Sequence, residues 1–215
     1  MTNYLALLAA AVALSAGACS AADAPAAPAK AKPASAPAPA NPAAPPAAVA
    51  THYVKAPAGS SLAFTFVQEG AASAGSFKQF TTELGYDEKN PAAGSLKVQV
   101  QIASIDTLDK DRNDTLAGAD LFDTQKFPTA QYVANSFARR ADGTLEAVGK
   151  LTLRGVTHDL RLPLKITRTA TGLELSGSAA IKRLDYGVGQ GDWKSTESVA
   201  DEVKLQYKVA LVQAK

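Results

Sequence analysis

The stretch VKLQYKVAL, Val203 to Leu211, decides the fold class. Val203, Leu205, Tyr207, Val209 and Leu211 alternate with Lys204, Gln206 and Lys208. A period of two puts successive side chains on opposite faces of an extended chain, so one face is apolar and the other wet. The same alternation recurs upstream. Leu62, Phe64 and Phe66 share a face of SSLAFTFVQ. Leu96, Val98, Val100 and Ile102 alternate with Lys97, Gln99 and Gln101, and Leu151 and Leu153 with Lys150, Thr152 and Arg154. Leu160, Leu162, Leu164 and Ile166 alternate with Arg161, Pro163 and Lys165. Leu173, Leu175, Gly177, Ala179 and Ile181 share one parity.

Turn residues separate these runs. Asp142-Gly143 and Thr171-Gly172 sit at hairpin spacing, and Asn90-Pro91 and Ala93-Gly94 mark another bend. One short helix is predicted around Asp111 to Phe122, capped by Asp111 or Asn113, with Leu116, Leu121 and Phe122 turned inward. The fold class is therefore all-β. Many antiparallel strands with one apolar face form either a sandwich or a closed barrel. Periodicity does not choose between them, nor between a filled interior and a hollow one.

Outside the strands the chain changes character. Of the 12 prolines in 215 residues, eight precede residue 51. Leu5 to Ala16 reads LALLAAAVALSA, uncharged and too short for a membrane span, followed by the small residues Ala16-Gly17-Ala18. This is the pattern of a signal peptide over residues 1–18. Cys19, the single cysteine, follows directly in LSAGAC, which resembles a bacterial lipobox with Ala16 where Leu is usual. Two outcomes stand: lipidation of Cys19 after cleavage, or ordinary cleavage with Cys19 incidental. Residues 19–50, nearly all Ala and Pro, form an expected disordered spacer. Residues 51–215 form the folded domain, large enough for a core of its own.

Several chemistries find no support in the sequence. The net charge of +2 without basic runs leaves no electrostatic footprint for nucleic acid. No intramolecular disulfide can form with one cysteine. His52 and His158 stand apart, and no metal-ligand spacing, nucleophile elbow, P-loop or dinucleotide fingerprint occurs. Asp106, Asp109, Asp111 and Asp114 lack the glycine and terminal glutamate of a calcium loop and read as a solvated loop with caps. No metal and no cofactor is expected.

An ensemble of short motifs resembles the YceI-like family. It comprises SIDT (104–107), Arg112 with Leu116, ADLFD (119–123), KFP (126–128), LTLRGVTHDLRL (151–162), RLDYGVG (183–189) and DEVKLQYKV (201–209). The resemblance runs from about residue 51 to the C-terminus. It implies an elongated antiparallel lipocalin-like β-barrel with one short helix and a long apolar lumen. It also implies a periplasmic, non-enzymatic protein, often dimeric, whose ligand is a polyisoprenoid or isoprenoid quinone. Two departures stand out: Arg112-Asn113 where many members have Arg-Asp, and Asp120-Leu121-Phe122 where many have D-F-F. Asp114 or Asp111 is the expected substitute partner for Arg112.

On that reading Phe64, Phe66, Phe77, Phe80, Phe122, Phe127, Tyr132, Phe137, Tyr186 and Trp193 are the lumen candidates. Gly149, Gly177 and Ala179 are expected to leave room for a chain. Arg183 and Asp185 are expected to pair with each other or with Arg112, and Arg183 alternatively to meet a head group, with a structural pair the expected role. Two other readings remain. One is a tethered protein-interaction module with a filled barrel. The other is a lipid-modifying enzyme, which would need a titratable group inside the apolar face, where Tyr132 and Tyr186 are the inward polar candidates.

Overall fold

The structure, a computed structural model, describes residues 50–214. The expected signal peptide, Cys19 and the Ala/Pro spacer lie outside the described residues. Eleven strands and one α-helix make up the domain. In chain order they are β1 (Thr51–Lys55), β2 (Ser61–Gln68), β3 (Ala71–Phe77), β4 (Phe80–Tyr86), β5 (Ser95–Gln101), β6 (Ile105–Asp106), α1 (Lys110–Ala117), β7 (Thr129–Arg139), β8 (Leu145–Leu153), β9 (Val156–Arg168), β10 (Leu173–Lys182) and β11 (Glu202–Gln213).

All pairings are antiparallel, and β1-β4-β5-β7-β8-β9-β10-β11 closes on itself through β1 and β11 as an eight-stranded barrel. Closure removes the free edges that an open sheet of this size would leave. β11 is the seam. Its Leu211–Gln213 end pairs with β1, while Lys204–Lys208 pairs with β2 on the same edge. Towards that second end β2, β3 and the short β6 carry the wall around, and Lys78 N–H donates to Ser104 O (3.0 Å) to complete it.

The wall is looser between β9 and β10. They pair only over Lys165–Arg168 and Leu173–Ser176, although β9 continues along β8 to its start at Val156. A 3-10 turn at Leu184–Tyr186 packs against the unpaired length of β9, with Asp185 O 3.0 Å from His158 Nε2.

The helix starts and stops earlier than predicted. Asp109 is the cap, its carboxylate accepting from Arg112 N–H at 3.1 Å, and the helix ends at Ala117 before Gly118. Leu121 and Phe122 lie beyond it in a turn fixed by Phe122 N–H to Leu116 O (3.0 Å). They still face the interior, as expected. Two hairpins are unannounced by the usual dipeptides: Glu69-Gly70 turns β2 into β3 (φ 50° and 77°) and Arg154-Gly155 turns β8 into β9 (φ 50° and 75°), all four residues at positive φ.

The barrel is filled at the end closed by β1. Leu84, Leu96, Phe137, Leu145, Leu164, Leu173 and Leu211 meet there in one buried cluster. Phe137 packs over Gly94, where a side chain would collide with its ring. Towards α1 the same strands instead surround an open volume.

Candidate functional site

Each strand contributes inward residues in rows, and the rows change character halfway along. On β11, Leu211 and Val209 belong to the packed cluster, Tyr207 follows, and Leu205 and Val203 line a cavity. On β10 the order is Leu173, Leu175, Gly177, Ala179 and then Ile181 at the cavity. On β8 it is Leu145, Ala147, Gly149, then Leu151 and Leu153. The boundary row consists of Tyr132 and Tyr207 facing Gly149 and Gly177.

Both tyrosines are held by backbone carbonyls. Tyr132 Oη donates to Ala147 O (3.0 Å) and Leu160 O (3.1 Å), and Tyr207 Oη donates to Pro163 O. Pro163 and Leu160 lie where β9 has left β10, so the phenols replace ladder bonds that the splayed strands do not make. Burial pushes both phenols well above the usual tyrosine range. A Cβ on Gly149 would lie 2.7 Å from Tyr132 Oη, and one on Gly177 2.5 Å from Tyr207 Oη. The expectation that these glycines make room for a ligand is therefore corrected: the room is taken by the two hydroxyls together with the backbone carbonyls of Val133 and Pro163. Ala179 lies one row nearer the cavity, opposite Leu205.

Below this row is a cavity of about 380 Å³, within the range of small-molecule sites. Its wall is almost wholly apolar. Phe64 and Phe66 stack at 6.1 Å, Phe77 tilts against Phe64 at 5.3 Å, and Phe122 meets Phe77 edge-on at 6.4 Å. Gly75 permits this wall, since a Cβ there would lie 2.9 Å from a carbon of the Phe64 ring. Trp193 also lines the cavity, and α1 lies at the mouth with Asp109, Asp111, Arg112, Thr115 and Leu116.

Of the ten aromatic candidates, Phe64, Phe66, Phe77, Phe122 and Trp193 line the cavity. Phe80, Tyr132 and Phe137 lie in the filled half instead. Their inward parity is as read, but they sit higher in the barrel. Phe127 packs on Gly155 at the outer turn, with Lys126 Nζ 5.7 Å from its ring centre. Tyr186 is buried beside the cavity and meets His158 edge-on at 5.1 Å.

The polar candidates also part company. Arg183 is 5% exposed and forms no ion pair with Asp185, which is exposed. Its guanidinium donates to Ala200 O (3.1 Å), Val188 O (3.0 Å), Ser195 O (3.3 Å) and Val199 O (2.8 Å). It thereby ties together the long connection between β10 and β11. Burial lowers its pKa, opposed by the Asp201 carboxylate. Asp201 in turn accepts from Leu184 N–H at 3.0 Å.

Arg112 is different. It lines the mouth, and none of the ion pairs among the described residues involves it. Neither Asp111 nor Asp114 replaces the expected partner: Asp114 pairs with Lys110, and Asn113 Oδ1 accepts from Thr107 N–H (2.9 Å) and Thr107 Oγ1 (2.7 Å). The other aspartates of the patch are committed as well. Asp106 meets Lys78 at 3.2 Å, and Asp109 caps α1. No group of three or more His, Cys, Asp and Glu is placed to hold a metal among the described residues.

The motif resemblance now has its match in the comparisons. The model of the YceI-like domain covers residues 53–211. The chain belongs to the YceI-like family. Protein YceI of Escherichia coli O157:H7 is 38% identical over 149 residues, 66% of this chain and 74% of that protein. A UPF0312 protein of Yersinia enterocolitica is 31% identical over the same shares of the two chains. Among solved structures, Burkholderia cenocepacia BcnA superposes with a TM-score of 0.67 at 31% identity, covering 70% of this chain and 94% of its own. A polyisoprenoid binding domain from Saccharophagus degradans shares the fold, with a TM-score of 0.62 at 17% identity over 77% and 99% of the two chains.

Proposed function

We propose that this YceI-like chain is a carrier or sequestering protein that holds a long apolar lipid, a polyisoprenoid or isoprenoid quinone, in the open half of its barrel. The observation that carries the reading is the cavity itself: an aromatic, aliphatic pocket whose mouth bears Arg112, a cation without an ion-pair partner among the described residues. Binding free energy comes from removing the chain of the lipid from water, about 25 cal/mol per Å² less the cost of ordering it. Arg112 meets the polar end. The fold-sharing polyisoprenoid binding domain supports the ligand class. On this reading no bond is made or broken, and the phenols of Tyr132 and Tyr207 are engaged with backbone carbonyls.

The N-terminal sequence supports export to the periplasm, with Cys19 as the point of lipid attachment. Mass spectrometry of the mature N-terminus tests that part separately. A triacylated Cys19 supports anchoring, and an unmodified start after Ala18 removes it.

Native mass spectrometry of protein purified from its host tests the ligand. The expected spectrum contains a lipid adduct that organic extraction removes. If no lipid copurifies and no prenyl lipid raises the unfolding temperature, the carrier reading fails.

A further inference from the structure

We infer that Tyr132 and Tyr207, seated on Gly149 and Gly177 directly behind the lining residues Leu151 and Leu62, back a floor that sets the length of apolar chain this protein accepts. The inference rests on the carrier reading and adds a limit to it. Without the floor an eight-stranded barrel could pass a chain along its whole axis. Here the interior on one side of the floor is packed with leucines and Phe137, and the cavity occupies only the other side.

Three observations fix the floor in place. The hydroxyls donate to Ala147 O, Leu160 O and Pro163 O, so the rings have anchors on β8 and β9 as well as on their own strands. The facing glycines leave no gap beneath them, because even a Cβ would collide with the hydroxyls. Behind them the filled half is a close-packed core, which does not yield volume without cost.

The remaining depth is short. From the floor to the last lining residue, β11 runs from Tyr207 to Val203 and β8 from Gly149 to Leu153, while β2 runs from Leu62 to Gln68. At a rise of about 3.3 Å per residue these lengths are roughly 13 to 20 Å. An isoprene unit has four main-chain bonds against three per residue, so it spans about 4.5 Å on the same scale. The cavity therefore takes about three to four isoprene units, and any longer tail stays outside the mouth.

Affinity measured against chain length tests this on the full-length protein. Two series serve as probes: prenyl alcohols (geraniol, farnesol, geranylgeraniol, solanesol) and saturated n-alkanols of matching lengths. The expected dissociation constant falls by at least about tenfold per isoprene unit while burial continues, then levels at farnesol or geranylgeraniol. Ala179→Leu raises the floor by one row and moves the plateau one unit shorter. Tyr207→Phe keeps the ring and leaves the plateau in place. Tyr207→Ala lowers the floor and moves the plateau longer, and if that variant does not fold, Ala179→Leu alone reads the position of the floor. Affinity that keeps rising to solanesol, or a plateau that Ala179→Leu does not move, overturns the inference. Should only the alkanols bind, with the plateau and its shift, the floor stands and the isoprenoid reading falls. Should neither series bind, both fall.

Discussion

Arg183 carries more of the structure around the cavity than its place in a motif suggests. One buried guanidinium serves four carbonyls from residues 188, 195, 199 and 200, so the connection between β10 and β11 has a single centre. Removing it leaves buried acceptors unpaired, which costs roughly 1–3 kcal/mol for a group of this kind and more when several are exposed to the same loss. Arg183→Ala should lower the unfolding midpoint by about 4–12 °C for a domain of this size, measurable by calorimetry. Arg183→Lys should recover little, since an ammonium cannot reproduce the planar fork.

The two floor tyrosines make a second prediction at this scale. Burial raises both phenol pKa values in the folded chain, while the unfolded chain keeps the ordinary value near 10. The unfolded state therefore releases protons first as pH rises, and stability must fall with pH in that range. The contribution is complete below about pH 10 and is lost above it. Urea unfolding between pH 8 and pH 11 should be flat and then decline, with a shallower decline in the Tyr132→Phe, Tyr207→Phe double variant. An unchanged slope would place the alkaline sensitivity in other groups, such as Tyr186 and Tyr86, which burial also raises.

At the scale of elements, α1 is held over the mouth by half-buried Leu116, packed against the apolar clusters around the cavity, and by polar contacts. Asn113 fastens it to Thr107 through two hydrogen bonds, and Asp106 Oδ1 accepts from Leu108 N–H at 2.9 Å. Between these ties Leu108 is 93% exposed at φ 61°, a left-handed conformation that costs a leucine of order 1 kcal/mol or more. Asn113→Ala should cost about 1–3 kcal/mol, because it orphans the buried Thr107 amide and leaves the Thr107 hydroxyl only its longer bond to Asp109 O (3.4 Å). Leu108→Gly should be neutral or stabilising by calorimetry, the relieved strain offsetting the entropy of glycine.

Elements were the most legible level of the sequence. The strands follow from alternation, and Asp142-Gly143 and Thr171-Gly172 fall between strands as read. Glu69-Gly70 escaped because a glutamate in the left-handed region is not a turn signal, and Arg154-Gly155 because an arginine there is not one either. Arg154 tolerates that conformation here with its guanidinium on Gly187 O (2.7 Å) and Ala119 O (2.6 Å). The site was legible by parity only. Alternation says which face a phenylalanine takes but not how far along the barrel it stands, so Phe80 and Phe137 could not be told from Phe64 and Phe66. Gly149 and Gly177 misled for a related reason: a glycine marks a place where something approaches closely, and the approaching group was a tyrosine of a neighbouring strand.

At the scale of the whole domain, the barrel divides into a stabilising half and a binding half. The closed half has the β1–β11 closure and a packed leucine core. The open half has the partial β9–β10 pairing, the two-residue β6 and a cavity in place of a core. Local opening is easiest where buried apolar contacts are few, so the open half should exchange its amides sooner. A ligand that binds only the folded cavity stabilises by RT ln(1 + [L]/Kd), about 2.7 kcal/mol at a hundredfold excess over Kd. That gain should appear where the cavity is. Hydrogen exchange with and without geranylgeraniol should show new protection in β2, β3, α1 and the connection through Arg183. Amides around Leu84, Leu96, Phe137 and Leu164 should be slow in both states and unchanged. Protection spread evenly over both halves would mean that ligand and core act as one cooperative unit. Protection confined to the closed half would place the ligand on the wrong side of the tyrosines.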